Sequence, residues 1–407
     1  MSLETVNLQI KDLGTIITGG TPPTKKREYY GDLVPLIKPT DMVLGQRYIG
    51  DTEESLSVIG IEKFKKKLVP KNTPCVVTIG TIGKSCLTKE LSLVNQAVNC
   101  VLVDEPKYDY MYIYYLMQAT IYKVKAMDSG TASGRENVSK SAFESIDVRV
   151  IKSKDTQQRV GNLLSNYDNL IENNNRRIAI LEDIAQSLYR EWFVHFRFPS
   201  HEKCQFKDSE LGQIPEGWEV KSATEVVEFA PKMSLSKEEA KPFVSMPNVS
   251  TTSMIIDKIE MREGNSGTKF MNGDTLMARI TPCLQNGKTG FVQFLDEENP
   301  IGFGSTEFIV MRSKELTPEF VYCLARSDSF RATAINSMAG ADGRQRVKND
   351  CFNSYLLAVP PKYYLEKFSL IAEPIFKDVF SLNKKNKNLT KQRDMLLPKL
   401  ISGKVVI

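Results

Sequence analysis

The sequence repeats itself once, at a period close to half its length. Residues 130–150 read GTASGRENVSKSAFESIDVRV, and residues 339–359 read AGADGRQRVKNDCFNSYLLAV. At a constant offset Gly134 matches Gly343, Arg135 matches Arg344, Val138 matches Val347 and Phe143 matches Phe352. Each block closes on alternating positions, Ile146, Val148 and Val150 against Tyr355, Leu357 and Val359, which is the two-residue period of a strand. Other pieces recur in the same order. TPCVVTIGTIGKS (73–85) parallels DTLMARITPCLQNGKT (274–289), each an apolar strand and then a loop carrying Gly-Lys-Ser or Gly-Lys-Thr. NLQIKDLGTII near the start parallels GWEVKSATEVV at 217–227, and YDYMYIYYLMQAT (108–120) parallels TPEFVYCLARSDSF (317–330) as helical segments. A period this long describes a duplicated half and not a solenoid of short units.

Each half ends in a long helix. The first runs from about Thr156 to Phe196. Val160, Tyr167, Asn174, Leu181 and Leu188 recur at heptad spacing, and so do Leu164, Ile171, Ile178, Ala185 and Trp192. This is an a/d seam with one polar residue, Asn174. Such a seam requires a partner helix, and a single buried Asn fixes register. The second helix lies between about Leu365 and Ile401, with Phe368, Ile375, Leu382, Leu389 and Leu396 in series, flanked by Ala372, Val379 and Leu400. Pro374 is expected to kink it or to mark its true start. The natural partner of each helix is the other. The expected fold is therefore mixed α/β (α+β), with two similar domains separated by two long antiparallel helices forming a coiled coil, and a pseudo-two-fold internal repeat. The polar, Pro- and Gly-containing stretch 198–217 reads as the hinge into the second half.

A chain of 407 residues, 41% hydrophobic and 25% charged, has the composition of a soluble globular protein of two to three domains. No apolar run is long enough to span a membrane, and MSLETVNLQI has no signal-peptide pattern. The 7 cysteines form no C-x-x-C pair, so free thiols in a reducing cytoplasm are expected. Six of them (75, 86, 100, 283, 323 and 351) stand in or beside apolar runs and read as small core residues.

Catalytic motifs are missing. Gly80-Thr-Ile-Gly83-Lys84-Ser85 approaches a phosphate loop but has Thr78 where a glycine is required, and the second copy has Pro282. Two near-misses at matching places point to a shared turn. Only His195 and His201 are available as histidines, without H-E-x-x-H or Cys/His ligand spacing, so no metal centre is expected. There is no G-x-S-x-G and no dinucleotide fingerprint. The chain reads as non-catalytic.

Net charge is +5, mild overall but locally clustered. Lys25, Lys26 and Arg27 follow Gly-Gly-Thr-Pro-Pro; Lys63, Lys65, Lys66, Lys67 and Lys71 crowd one stretch; Arg344, Arg346 and Lys348 stand in the repeated block. Each cluster alone fits a solvated surface. Two similar modules on a spacer fit a DNA target split into two sites.

The residues also carry a family resemblance. The chain resembles the specificity (S) subunit of a Type I restriction–modification enzyme over essentially its whole length. The segments that carry this are NNNRRIAILEDIAQSLYREWFVHF (173–196) with LGQIPEGWEV (211–220), and the terminal LTKQRDMLLPKLISGKV (389–405). TGGTPPT (18–24), IGTIGKS (79–85), GSTEFIV (304–310) and the two GR-x-x-V blocks agree with it. One departure is that residues 1–6 lack the Gly-Trp lead-in seen at Gly217-Trp218. The resemblance implies a first target-recognition domain at 1–153, a central helical region at 154–200, a second recognition domain at 201–362 and a distal helical region at 363–407. It implies that each domain reads one half of a bipartite, asymmetric site in double-stranded DNA and that the helices set the spacing. It further implies two modification subunits that bring S-adenosylmethionine and methylate adenine at N6. Restriction subunits add ATP- and magnesium-dependent (Mg) cleavage. No cofactor is then bound by this chain itself.

Candidate DNA contacts are Lys25, Lys26, Arg27, Lys84, Arg135, Arg279, Lys288, Arg344 and Arg346, through phosphates or base edges. Arg135 and Arg344 occupy matching places in domains that should read different DNA, which favours a structural or backbone role for them. Candidate partner contacts on the first long helix are Arg176, Arg177, Tyr189, Trp192 and Phe193, with internal helix packing as the competing role for the seam positions. A stand-alone DNA-binding regulator and a protein-only adaptor are the rival readings.

Overall fold

The computed structural model describes residues 3–130, 136–340 and 345–405. The chain divides into two compact units. The first comprises the residues up to Glu172 together with those from Lys387 onward, and the second is Asn173–Asn386.

The first unit is layered helix on sheet on sheet. Its four-stranded antiparallel sheet has the order Gly14–Thr18, Val98–Val103, Pro74–Val77, Ser85–Leu87. Helix Tyr110–Ala126 covers one face, started by Asp109, whose carboxylate accepts from the Tyr112 amide at 2.8 Å. That is the N-cap arrangement that satisfies an otherwise unpaired helical N–H. Val76, Leu87 and Val101 point into the core with this helix, while Cys75, Val77, Cys86 and Cys100 point into a second core. There they meet Ile37, Val69 and Val94 of a five-stranded sheet. That sheet has the order Tyr30–Gly31, Glu54–Leu56, Val34–Ile37, Ser92–Val94, Leu68–Val69, with Val34–Ile37 and Ser92–Val94 parallel. Burial on both faces explains why Pro-Cys-Val-Val is continuously apolar instead of alternating. A two-stranded pair, Thr5–Gln9 with Asp147–Ile151, completes the unit.

The second unit uses the same layers. Val227–Phe229, Phe308–Ser313, Thr275–Ala278 and Thr289–Phe291 form its antiparallel sheet. Met277, Ile309 and Met311 face helix Pro318–Arg326, and Leu276, Phe308 and Val310 face the other sheet. The latter runs Glu260–Arg262, Lys241–Val244, Gly302–Gly304, Thr268–Phe270, again with its central pair parallel. Glu219–Ser222 pairs with Leu356–Val359. The expected hinge 198–217 instead holds a hairpin, Phe206–Ser209 with Gly212–Pro215, whose turn ends on Gly212 at φ 85°. A glycine there meets no left-handed penalty. All seven cysteines are free thiols; Cys75, Cys86, Cys100 and Cys323 are buried, whereas Cys283 and Cys351 are only half-buried.

The first long helix spans Lys154–Tyr189 and continues into a π-helical turn, Arg190–Val194. The second spans Lys362–Ile401. Pro374 neither starts nor ends it, a correction to the sequence reading. Its ring is exposed, and the buried stripe continues on both sides through Ala372, Phe376 and Val379. The lost backbone hydrogen bond is outweighed by this packing.

Within each unit the two helices run antiparallel. In the second unit Asn174 donates to the Asn386 side chain at 2.8 Å, Asn386 donates to Asn175 at 2.8 Å, and Trp192 meets Phe368. In the first unit Arg393 Nη1 lies 2.5 Å from Asp168 Oδ1, and the Tyr115 hydroxyl donates to Asp168 Oδ2. Burial, with the Asp168 charge beside it, pushes the Tyr115 hydroxyl far up, so it stays a donor. Arg47 holds the same helix from outside, donating to the Ser165 carbonyl at 3.2 Å, Asn169 at 2.6 Å and Glu172 at 3.0 Å.

The Asp168–Arg393 pair is 4% and 9% exposed. Removing one partner strands a buried charge, which costs about 3–5 kcal/mol. Asp168→Ala is expected to lose that much in chemical denaturation. An exposed control, Glu53→Ala at Lys38, should leave the denaturation midpoint close to the parent's, because water screens that pair.

Candidate nucleic-acid interface

In the first unit two basic stretches distant in sequence meet on one face. Residues 19–29 dock on helix Val58–Phe64 and the 3-10 turn Lys65–Lys67 that follows it. The Ser57 amide donates to the Tyr29 carbonyl at 3.0 Å, and its hydroxyl both donates to the Glu28 carbonyl and caps the Gly60 amide. Gly60 is required: a Cβ there would sit 2.2 Å from the Tyr29 carbonyl oxygen. The Tyr29 and Phe64 rings meet edge-on at 6.2 Å, and Lys67 Nζ donates to the Gly19 carbonyl at 2.9 Å. The result presents Lys25, Lys26 and Arg27 beside Lys63, Lys65 and Lys66, all exposed. Lys26 lies 5.5 Å from the Tyr29 ring centroid. The sequence named both clusters; what joins them is backbone docking at Ser57 and Gly60, which charge counting does not register.

The two Gly-Lys turns are used alike. Lys84 Nζ donates to the Pro39 carbonyl at 2.8 Å, and Lys288 Nζ donates to the Met246 carbonyl at 2.8 Å. Each turn runs straight into a strand, Ser85–Leu87 or Thr289–Phe291. A phosphate loop needs a helix N-terminus there, so these turns are not nucleotide cradles. Both lysines are half-buried and tie a loop of their own unit.

Arg279 and Arg346 come together in the second unit. Arg346 grips Glu307 with Nε at 3.0 Å from both carboxylate oxygens and Nη2 at 2.5 Å from Oε1. Arg279 Nη2 donates to the Val347 carbonyl at 2.9 Å. Arg135 and Arg344 lie outside the described residues. On the first long helix Arg176 and Arg177 are exposed. Tyr189, Trp192 and Phe193 are not available to a partner, which corrects their reading as candidate contacts. They are buried against Phe320 and Phe368, with Phe193 at 4.7 and 5.1 Å from those rings. Among the described residues, no group of three or more His, Cys, Asp or Glu side chains could hold a metal ion. Among them, too, no helix is long and apolar enough to cross a membrane.

Residues 4–183 match the family model described as the Type I restriction modification DNA specificity domain. The chain is 26% identical, over 98% of its length and 92% of the relative's, to the Type I restriction enzyme MjaIX specificity subunit of Methanocaldococcus jannaschii. This chain is thus similar in sequence to Type I restriction–modification specificity subunits. The HindI specificity subunit of Haemophilus influenzae is 32% identical over 43% of this chain and 38% of its own. The crystal structure of a Type I restriction–modification system S subunit from M. genitalium shares the fold at 16% identity, with a TM-score of 0.59 and 98% and 96% of the two chains covered.

The surfaces available to other molecules are those the chain's own core has not consumed. On the long helices these include Leu170, Ile180 and Ile184 on the first and Leu370, Ile371 and Met395 on the second, all exposed. The heptad count selected seam residues instead, because periodicity marks the buried stripe more strongly than the outer face.

The Arg346 guanidinium holds the Glu307 carboxyl below the usual carboxylate range, through hydrogen bonding and then charge. A depressed carboxyl stabilises the fold above its unfolded value, about 4.3, and loses that contribution as pH falls through the lower folded value. Glu307→Gln should therefore melt below the parent protein near neutral pH, with the gap closing under strong acid. Melting curves across pH test this; a gap of constant size would mean that the charge of Glu307 contributes nothing.

Proposed function

We propose that this chain is the non-catalytic DNA-recognition subunit of a Type I restriction–modification complex. The observation that carries the reading is the pairing of one scaffold with two unlike surfaces. Both units have the same strand order in their antiparallel sheets and the same parallel pair in the second sheet. Their outward loops differ. A frame used twice with different loops suits a target whose two halves have different sequences.

On this reading residues 1–153 and 201–362 are the target-recognition domains of a duplicated chain. Regions 154–200 and 363–407 form the coiled coil that fixes the number of unspecified base pairs between half-sites. Lys25, Lys26 and Arg27 contact phosphates, and Arg135, Arg279, Arg344 and Arg346 are the further candidate contacts. Lys84 and Lys288 hold loops in place. Two modification subunits dock on the helices, supply S-adenosylmethionine and methylate adenine. Restriction subunits supply the ATP- and magnesium-dependent step, and the complex works in the cytoplasm. This chain contributes recognition without a cofactor of its own, as its lack of catalytic motifs supports.

The test is co-expression with a modification subunit, followed by sequencing-based mapping of N6-methyladenine in host DNA. Methylation at a single split motif, lost when this chain is deleted, is the expected result. A stable complex that methylates at unsplit or random sites would overturn the bipartite reading.

A further inference from the structure

The matching frames allow the two surfaces to be compared place by place. In each unit the first strand of the antiparallel sheet leads through a loop into the parallel pair of the other sheet. The connection is 19–33 in the first unit, including the short strand Tyr30–Gly31, and 230–240 in the second. An antiparallel neighbour follows, Glu54–Leu56 or Glu260–Arg262, and then the strand on the far side, Leu68–Val69 or Thr268–Phe270. Between these last two strands the units part company. The first inserts the helix and turn that carry Lys63, Lys65 and Lys66. The second has only Glu-Gly-Asn-Ser-Gly, residues 263–267. Gly267 keeps that connection short: a Cβ there would lie 1.9 Å from the Gly304 carbonyl oxygen.

Where the first unit has a basic helix, the second has an open cleft of about 530 Å³ lined by Phe243, Glu260, Arg262, Glu263 and Ser305 among others. Cations in and beside this cleft are paired with carboxylates, as Lys65 is with Glu62 at 3.6 Å in the first unit. Arg262 lies 3.4 Å from Glu260 and over the Phe243 ring at 4.0 Å, and Lys241 is 2.6 Å from Glu239. The loop that matches Lys25–Arg27 balances exposed Lys232 and Lys237 with Glu238 and Glu239, and so carries no net positive charge. The imbalance extends through the sequence: residues 1–153 carry more basic than acidic side chains, and residues 201–362 carry more acidic than basic.

We propose that the basic face of the first unit, built from Lys25, Lys26, Arg27, Lys63, Lys65 and Lys66, is a phosphate-backbone grip with no counterpart in the second unit. This rests on the DNA-recognition reading above. The first unit then supplies most of the salt-dependent affinity, and the second binds DNA with little counterion release. Each phosphate neutralised steepens the dependence of log K on log salt by about 0.9 for duplex DNA. The grip is sequence-independent, so it is measurable before the target is known.

The experiment titrates the full-length chain into a fluorescent duplex of mixed sequence across a series of salt concentrations. Three proteins are compared: the parent, Lys63→Gln/Lys65→Gln/Lys66→Gln, and a second-unit control, Lys232→Gln/Lys237→Gln. Exposed side chains are changed throughout, and Lys67 is spared because it ties Gly19. The first-unit triple variant is expected to lose about 2–3 from the salt slope and on the order of tenfold in low-salt affinity, with the control close to the parent. Equal losses from the two variants, or no loss from the triple variant, overturn the unequal grip while leaving the DNA reading intact. A parent chain that binds no duplex even at low salt overturns both.

Discussion

Two helices of 36 and 40 residues cannot hold an apolar stripe in water, and the core of each unit is arranged around burying one. In the first unit Val160 and Leu164 share a core with Leu400, Ile401 and the face of helix Tyr110–Ala126. In the second, Ile178, Ala185 and Trp192 share one with Phe368, Val379 and the helix that carries Phe320. Apolar contact alone is indifferent to sliding by whole heptads. The polar inlays are not. Asn174 is satisfied opposite Asn386, and Asp168 opposite Arg393. A slipped pairing would leave amides or charges buried without partners, which costs more than the apolar contacts could return.

The parts of this architecture that were legible in the sequence are the periodic ones. The strands at 74–77 and 275–278, the helical segments at 108–120 and 317–330, and both long helices follow from hydrophobic spacing and the internal repeat. The misreadings have physical causes. Asn386 and Arg393 lie on the buried face of the second helix, in line with Ala372, Val379 and Leu400, yet a count of apolar residues passes over them. Pro374 does not mark the start of the second helix, which packing on both sides of it sustains. Phe206-Lys-Asp-Ser has too little alternation to announce a strand, and only the turn at Gly212 and the antiparallel register reveal the hairpin.

The candidate site was half legible, for a related reason. Sequence arithmetic finds cations but not what they face. Lys84 and Lys288, counted as candidate DNA contacts from their charge, stand at repeated positions and make the same internal bond to a backbone carbonyl. The lysines at 63–66 have no counterpart in the second half, and they end up on the surface. In a duplicated protein, a charged residue present in both copies is a candidate for holding the fold. One present in a single copy is a candidate for touching something else.

The two units also differ in how the chain builds them. The second is one uninterrupted stretch, whereas the first is two segments with the whole of the second unit between them. A ribosome adding roughly 5–20 residues per second takes on the order of 10–40 s to cross that gap. Throughout that time Asp168 has Tyr115 but lacks Arg393, and Val160 and Leu164 have no Leu400 or Ile401 to cover them. The unit synthesised first is thus the last to close, and the nascent chain carries an open core edge and a carboxylate without its Arg393 partner until the second long helix emerges.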